Sequence, residues 1–150
     1  VGALCYDHRI GENLEMTMRN SVPTANPWGD IVGYSRAVRV GNLVFVSGTT
    51  AAGPEGQGLH PGEPGPQTRL ILERIEAALV KLGASLKDVV ETRVYVCDID
   101  QWEAVGRVHG EVFADIRPAT TMVEVSRLIA SDLLVEISAT AVVDAAVATS

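Results

Sequence analysis

The sequence is short of basic residues, aromatics and cysteine, and each shortage removes a class of function. Its 150 residues hold 12 Lys and Arg against 19 Asp and Glu, for a formal net charge of −7. Binding along a phosphate backbone needs clustered cations; these are scattered singly, which speaks against a nucleic-acid partner. Aromatic residues make up 5% of the chain, too few for a stacking platform. No apolar run approaches the roughly 18 residues of a membrane span, and the first residues lack the basic start and apolar run of a secretory signal. Cys5 and Cys97 stand far apart and read as unpaired thiols of a reducing cytoplasm. His8, His60 and His109 have no ligand-like spacing, and the Cys5, Asp7, His8 group matches no standard zinc pattern. The loop Ala52 to Pro66, rich in Gly and Pro, lacks the G-x-x-x-x-G-K-[ST] phosphate cradle. No metal or organic cofactor is therefore expected.

What the chain does have is apolar content, 47%, enough for one domain with a full core. Residues 1–27 show no sustained periodicity and end in turn chemistry, NSVPTANP, so they read as an extension, with Met16 or Met18 as candidate starts. The domain proper is expected over 28–150. Val38 to Val40, a Gly41-Asn42 turn and Leu43 to Val46 predict a hairpin. Leu43-Val44-Phe45-Val46 is apolar on both faces, which predicts a central, doubly covered strand. Gln67 to Leu82 carries Ile71, Ile75, Ala78, Leu79 and Leu82 on one face and predicts an amphipathic helix, with Pro66 in its first turn and Gly83 at its end. A strand is expected over Thr92 to Cys97. A second helix follows, capped by Asp100 with Glu103, its buried side read as Trp102, Val105, His109, Val112 and Phe113. His109 on that stripe reads as a packing residue rather than a catalytic one.

The last two strands, Pro118 to Arg127 and Leu133 to Val143, are expected to form an antiparallel hairpin across Leu128 to Asp132. In the first, Val123 and Val125 read as the core-facing set, opposite Thr120, Met122, Glu124 and Ser126. In the second, Leu133, Val135, Ile137, Ala139, Ala141 and Val143 alternate with Leu134, Glu136, Ser138, Thr140 and Val142. Glu136 is thereby aimed away from the core in mid-strand, where a carboxylate calls for an explanation. The order ββ, α, β, α, ββ is an α+β plan with one sheet and two helices on a single face. The open face, with Met122 and Val142 beside Glu136, suits sharing with identical subunits.

Six stretches in order, Gly33-Tyr34-Ser35-Arg36-Ala37-Val38, Gly41 to Gly48, Gly83 to Val90, Arg117-Pro118-Ala119, Val123-Glu124-Val125 and Leu134-Val135-Glu136-Ile137, resemble the Rid family of reactive-intermediate deaminases, also called YjgF/YER057c/UK114. The resemblance spans about Ile31 to Val143. It implies a chorismate-mutase-like fold with one mixed sheet, a homotrimer with clefts between subunits, and hydrolysis of enamines or imines to ketones and ammonia. It also implies residue roles: Glu136 and Tyr34 catalytic, Ser47 and Gly48 lining the cleft. The substrate-binding arginine that follows Pro-Ala in that family is Thr120 here, a departure from the pattern. Arg binds a carboxylate as a planar fork and Thr offers one hydroxyl, a loss of about 1.5–3 kcal/mol of binding. Arg36 is the candidate substitute anchor, preferred to Arg127, and a substrate without a carboxylate is the other solution. The alternative is a trimer that binds a small molecule without chemistry.

Overall fold

The computed structural model of the chain describes residues 18–26 and 28–143. The Cys5, Asp7, His8 and Met16 readings lie outside the described residues. The elements in order are β1 (Arg19–Val22), α1 (Trp28–Val32), β2 (Ala37–Val40), β3 (Leu43–Thr50), α2 (Pro64–Lys81), β4 (Val89–Val96), α3 (Trp102–Phe113), β5 (Ala119–Glu124) and β6 (Val135–Val142). One mixed sheet runs β1-β2-β3-β6-β4-β5, with β4 and β5 parallel and every other pair antiparallel. Arg19–Val22, in the segment read as an extension, is an edge strand paired with β2.

The two long helices lie on one face of the sheet. Val44, Val46, Val94, Val96, Val135, Ile137 and Ala141 face Ile71, Leu72, Ile75, Leu79, Val105 and Phe113 in a single buried cluster. The period-two reading of β6 holds: Val135, Ile137, Ala139 and Ala141 are buried, and the residues between them are only half-buried. Helix α2 starts three residues before the expected Gln67, with Pro64 rather than Pro66 at its head. The first turn has no intrahelical use for its N–H groups, so it tolerates both prolines. Gly83, at φ +71°, ends the helix as expected, its N–H bonded to the Val80 carbonyl.

Four expectations are corrected. The closing strands are not a hairpin: β4 lies between β5 and β6. The link is instead held by buried Gln67, which accepts from Leu134 N–H at 2.9 Å and donates to the Asp132 carbonyl at 2.8 Å. A parallel β4–β5 pair needs a crossover, and α3 supplies it. Secondly, the β5 faces are reversed. Pairing with Thr92 and Val94 turns Thr120 and Met122 to the helix side, and Val123 lies beside Tyr95, 42% exposed. Thirdly, β3 is central but covered on one face alone, with Leu43 39% and Phe45 48% exposed. Finally, Asp98, not Asp100, caps the chain before α3 by accepting from Asp100 N–H, and the intervening turn leaves Trp102 exposed rather than buried.

Candidate functional site

The site grows from a break in the β3–β6 ladder. Val46 pairs with Ala139, but the next pair is Thr49 with Ile137, so β3 carries one extra residue over that step. This bulge switches the phase of β3: Val44 and Val46 face the core before it, and Thr49 does so after it. Gly48 lies in the bulge, and the Glu136 carboxyl leans into the space its missing side chain leaves. A Cβ there would stand 2.1 Å from Glu136 Oε1.

Around this point a cleft of about 390 Å³ opens on the helix-free face, lined by Gly48, Tyr95, Val125, Arg127, Leu128, Glu136 and Ser138. Two registers assemble it. Tyr95 is the cross-strand partner of Glu136. Val125 N–H donates to the Val96 carbonyl at 2.8 Å, extending the β5 pairing and turning 125 and 127 to the same side. Burial raises the Glu136 pKa above the ordinary carboxylate range, and nearby Arg36 partly offsets this. Arg36 itself donates to the Gly48 carbonyl at 3.3 Å and to Thr49 Oγ1 at 2.8 Å, so it clamps the bulge. Beside it, Arg74 reaches from α2 to the carbonyls of Thr50 and Ala52 at 2.7 and 2.9 Å; burial and the charge of Arg36 lower its pKa.

The remaining residues singled out from the sequence do not line this cleft within the protomer. Tyr34 Oη is held by the Asn26 amide at 3.0 Å. Ser47 donates to the Ser35 carbonyl at 2.7 Å and ties β3 to the segment before β2. Thr120 is on the helix side of β5, where Thr92 Oγ1 joins Thr120 Oγ1 and His109 Nε2, both at 2.9 Å. His109 packs at 4.6 Å on Phe113, and burial lowers its pKa, which fits a packed neutral imidazole. Of the candidates, Glu136, Gly48 and Arg36 come together. Sequence reasoning missed Tyr95 and set Arg127 aside. Tyr95 alternates with core residues Val94 and Val96, a signal that it faces away from the core, but its pairing with Glu136 needs the strand order. No group of three or more His, Cys, Asp or Glu among the described residues is arranged for a metal.

The family model described as endoribonuclease L-PSP matches residues 25–143, most of the chain. The chain belongs to that family. It is also known as YjgF/YER057c/UK114, or Rid, and the mixed sheet is its chorismate-mutase-like fold. A solved member of the YjgF/YER057c/UK114 family from Mycobacterium tuberculosis is 51% identical, covers 84% of this chain and 100% of its own, and superposes with a TM-score of 0.77. A RutC family protein of Pyrococcus abyssi is 41% identical over 108 residues, 72% of this chain and 84% of that one. The 3-aminoacrylate deaminase RutC of Acinetobacter baylyi is 36% identical over 108 residues, 72% of this chain and 85% of that one. This Rid-family chain has a carboxyl of raised pKa in a cleft on the open sheet face.

Proposed function

We propose that this Rid-family chain forms a cytoplasmic homotrimer through its helix-free sheet faces and hydrolyses a small enamine or imine to a ketone and ammonia. The observation that carries the reading is Glu136, a carboxyl of raised pKa facing a small cleft. A carboxyl whose pKa burial has raised holds a proton more readily than an ordinary carboxylate and can pass it on, and imine hydrolysis needs both steps. Water adds to the C=N carbon while Glu136 accepts its proton and the nitrogen gains one. Glu136, returned to its carboxylate by giving its proton to that nitrogen, takes the carbinolamine hydroxyl proton and delivers it to the amine as the C–N bond breaks. Ammonia leaves and the carboxylate is restored. Arg36 and the clamped bulge hold the carboxyl in place. Tyr34 and Ser47 enter as cleft residues across the subunit contact. With Thr120 at the position of the family's arginine, the substrate is either uncharged or anchored by another cation.

The test is the disappearance of freshly generated imines, one carrying a carboxylate and a matched one without. Faster loss of either supports the reading, and the pair tells which substrate class is taken. Equal rates with and without protein for both would overturn it in favour of a binding trimer. That second reading draws on Thr120, which is tied into the Thr92–His109 chain rather than the cleft. RNA cleavage, suggested by the family description, is disfavoured by the net charge of −7.

The trimer has its own test. Phe45, 48% exposed beside Leu43 on the open face, would be covered in the assembly. Phe45→Asp would bury a charge there and is expected to shift sedimentation from a trimer to a monomer. A variant that still sediments as a trimer would place the contact elsewhere.

A further inference from the structure

We propose that Arg127 is the specificity-determining residue of this site, holding the anionic end of the substrate, so that the ligand carries one carboxylate a short distance from its reacting nitrogen. The inference rests on the deaminase reading for the reaction, but not for the binding. Two unlike charges, the Arg127 guanidinium and the Glu136 carboxyl, line the same cleft. Among the described residues no ion pair joins them. Nor does a hydrogen bond engage either side chain. Opposite groups that face a common space without meeting leave room for a molecule that spans them.

The geometry favours Arg127 over Arg36. Arg36 is committed to the Gly48 carbonyl and Thr49 Oγ1, where it shapes the bulge. Arg127 lies two residues beyond Val125, whose bond to Val96 sets this face of the chain against Tyr95 and Glu136. A guanidinium fork matches one planar carboxylate with two parallel hydrogen bonds. A single cation in a protein of net charge −7 is poorly suited to a multiply charged phosphate. The volume, about 390 Å³, is at the small end of ligand sites. Tyr95 and Ser138 add hydroxyls beside Glu136 that can bond the nitrogen or the attacking water.

The decisive experiment compares wild type, Arg127→Gln, Arg127→Lys and, as a charge-matched control on exposed α3, Arg107→Gln. Binding of pyruvate and of acetone is followed by ligand-observed NMR, and hydrolysis is followed with the two matched imines. Circular dichroism checks that each variant is folded. Pyruvate is expected to bind the wild type and the Arg107 variant, and acetone much more weakly. Arg127→Gln should weaken pyruvate about ten- to a hundredfold, the range of a lost charge-assisted pair, with Lys restoring part of it. On the carboxylate imine, kcat/KM should fall with Arg127→Gln by a much larger factor than on the uncharged imine. If neither imine is hydrolysed but pyruvate binding still depends on Arg127, the deaminase reading fails and this inference stands. If folded Arg127→Gln binds pyruvate as wild type does, or wild type does not prefer pyruvate to acetone, the inference is overturned.

Discussion

Glu136→Gln is expected to abolish imine hydrolysis and, near neutral pH, to make the fold more stable rather than less. Gln keeps the shape but cannot accept and return a proton, so the loss should appear in turnover rather than in ligand affinity. The stability claim follows from linkage. Burial holds the folded carboxyl above its ordinary pKa, so the folded state binds its proton more tightly than the unfolded state does. The resulting stability is fully present below the unfolded pKa and is lost as pH rises through the folded one. Above that window wild type carries an ionised, half-buried carboxylate that the variant lacks. Denaturant titrations above the folded pKa should therefore favour the variant, and the advantage should shrink as pH falls and vanish well below the unfolded pKa of about 4.3, where both states of the wild-type carboxyl are protonated. A variant with full activity, or one less stable than wild type at the higher pH, would refute the assignment.

Gly48→Ala should cost nearly as much activity by moving the same carboxyl. The new Cβ would meet Glu136 Oε1 at 2.1 Å and its carboxyl carbon at 3.0 Å, far inside contact distance. The atoms in the way belong to the end of a side chain, and Gly48 is not in the left-handed region, so the backbone can accept alanine. Displacement by about 1 Å is enough to lower turnover on the order of a hundredfold. The thermal midpoint should change little. Combining the substitution with Glu136→Gln should add no further loss, because both act through one group. An active Gly48→Ala enzyme, or a double variant much worse than Glu136→Gln alone, would count against the bulge as the element that places Glu136.

The legible parts of the fold were those written in local periodicity. The alternation of β6 put Glu136 on the open face, the stripe from Ile71 to Leu82 put α2 on the other, and six ordered stretches carried the family resemblance. What stayed hidden depends on which strands are neighbours. The link from Leu128 to Asp132 has hairpin length, but the chain around its end is held by Gln67, some sixty-five residues earlier. The faces of β5 were misread because Val123 and Val125 look like core residues. On an edge strand the parallel register with Thr92 and Val94 outweighs that apolar pattern. The convergence of Tyr95, Arg127 and Glu136 is likewise a product of strand order. Each lies on a different segment, and of the three Glu136 alone stands out in the sequence.

The extra residue in β3 has a consequence for anyone redesigning this protein. Removing Gly48 would bring the ladder from Val46 to Thr49 into step with Ala139 and Ile137 and give a more regular sheet. By the usual criteria of backbone idealisation that is an improvement. It would also close the gap that receives the Glu136 carboxyl and release the carbonyl to which Arg36 is anchored. A stabilised descendant chosen for strand regularity would therefore be a sound scaffold with nothing in it.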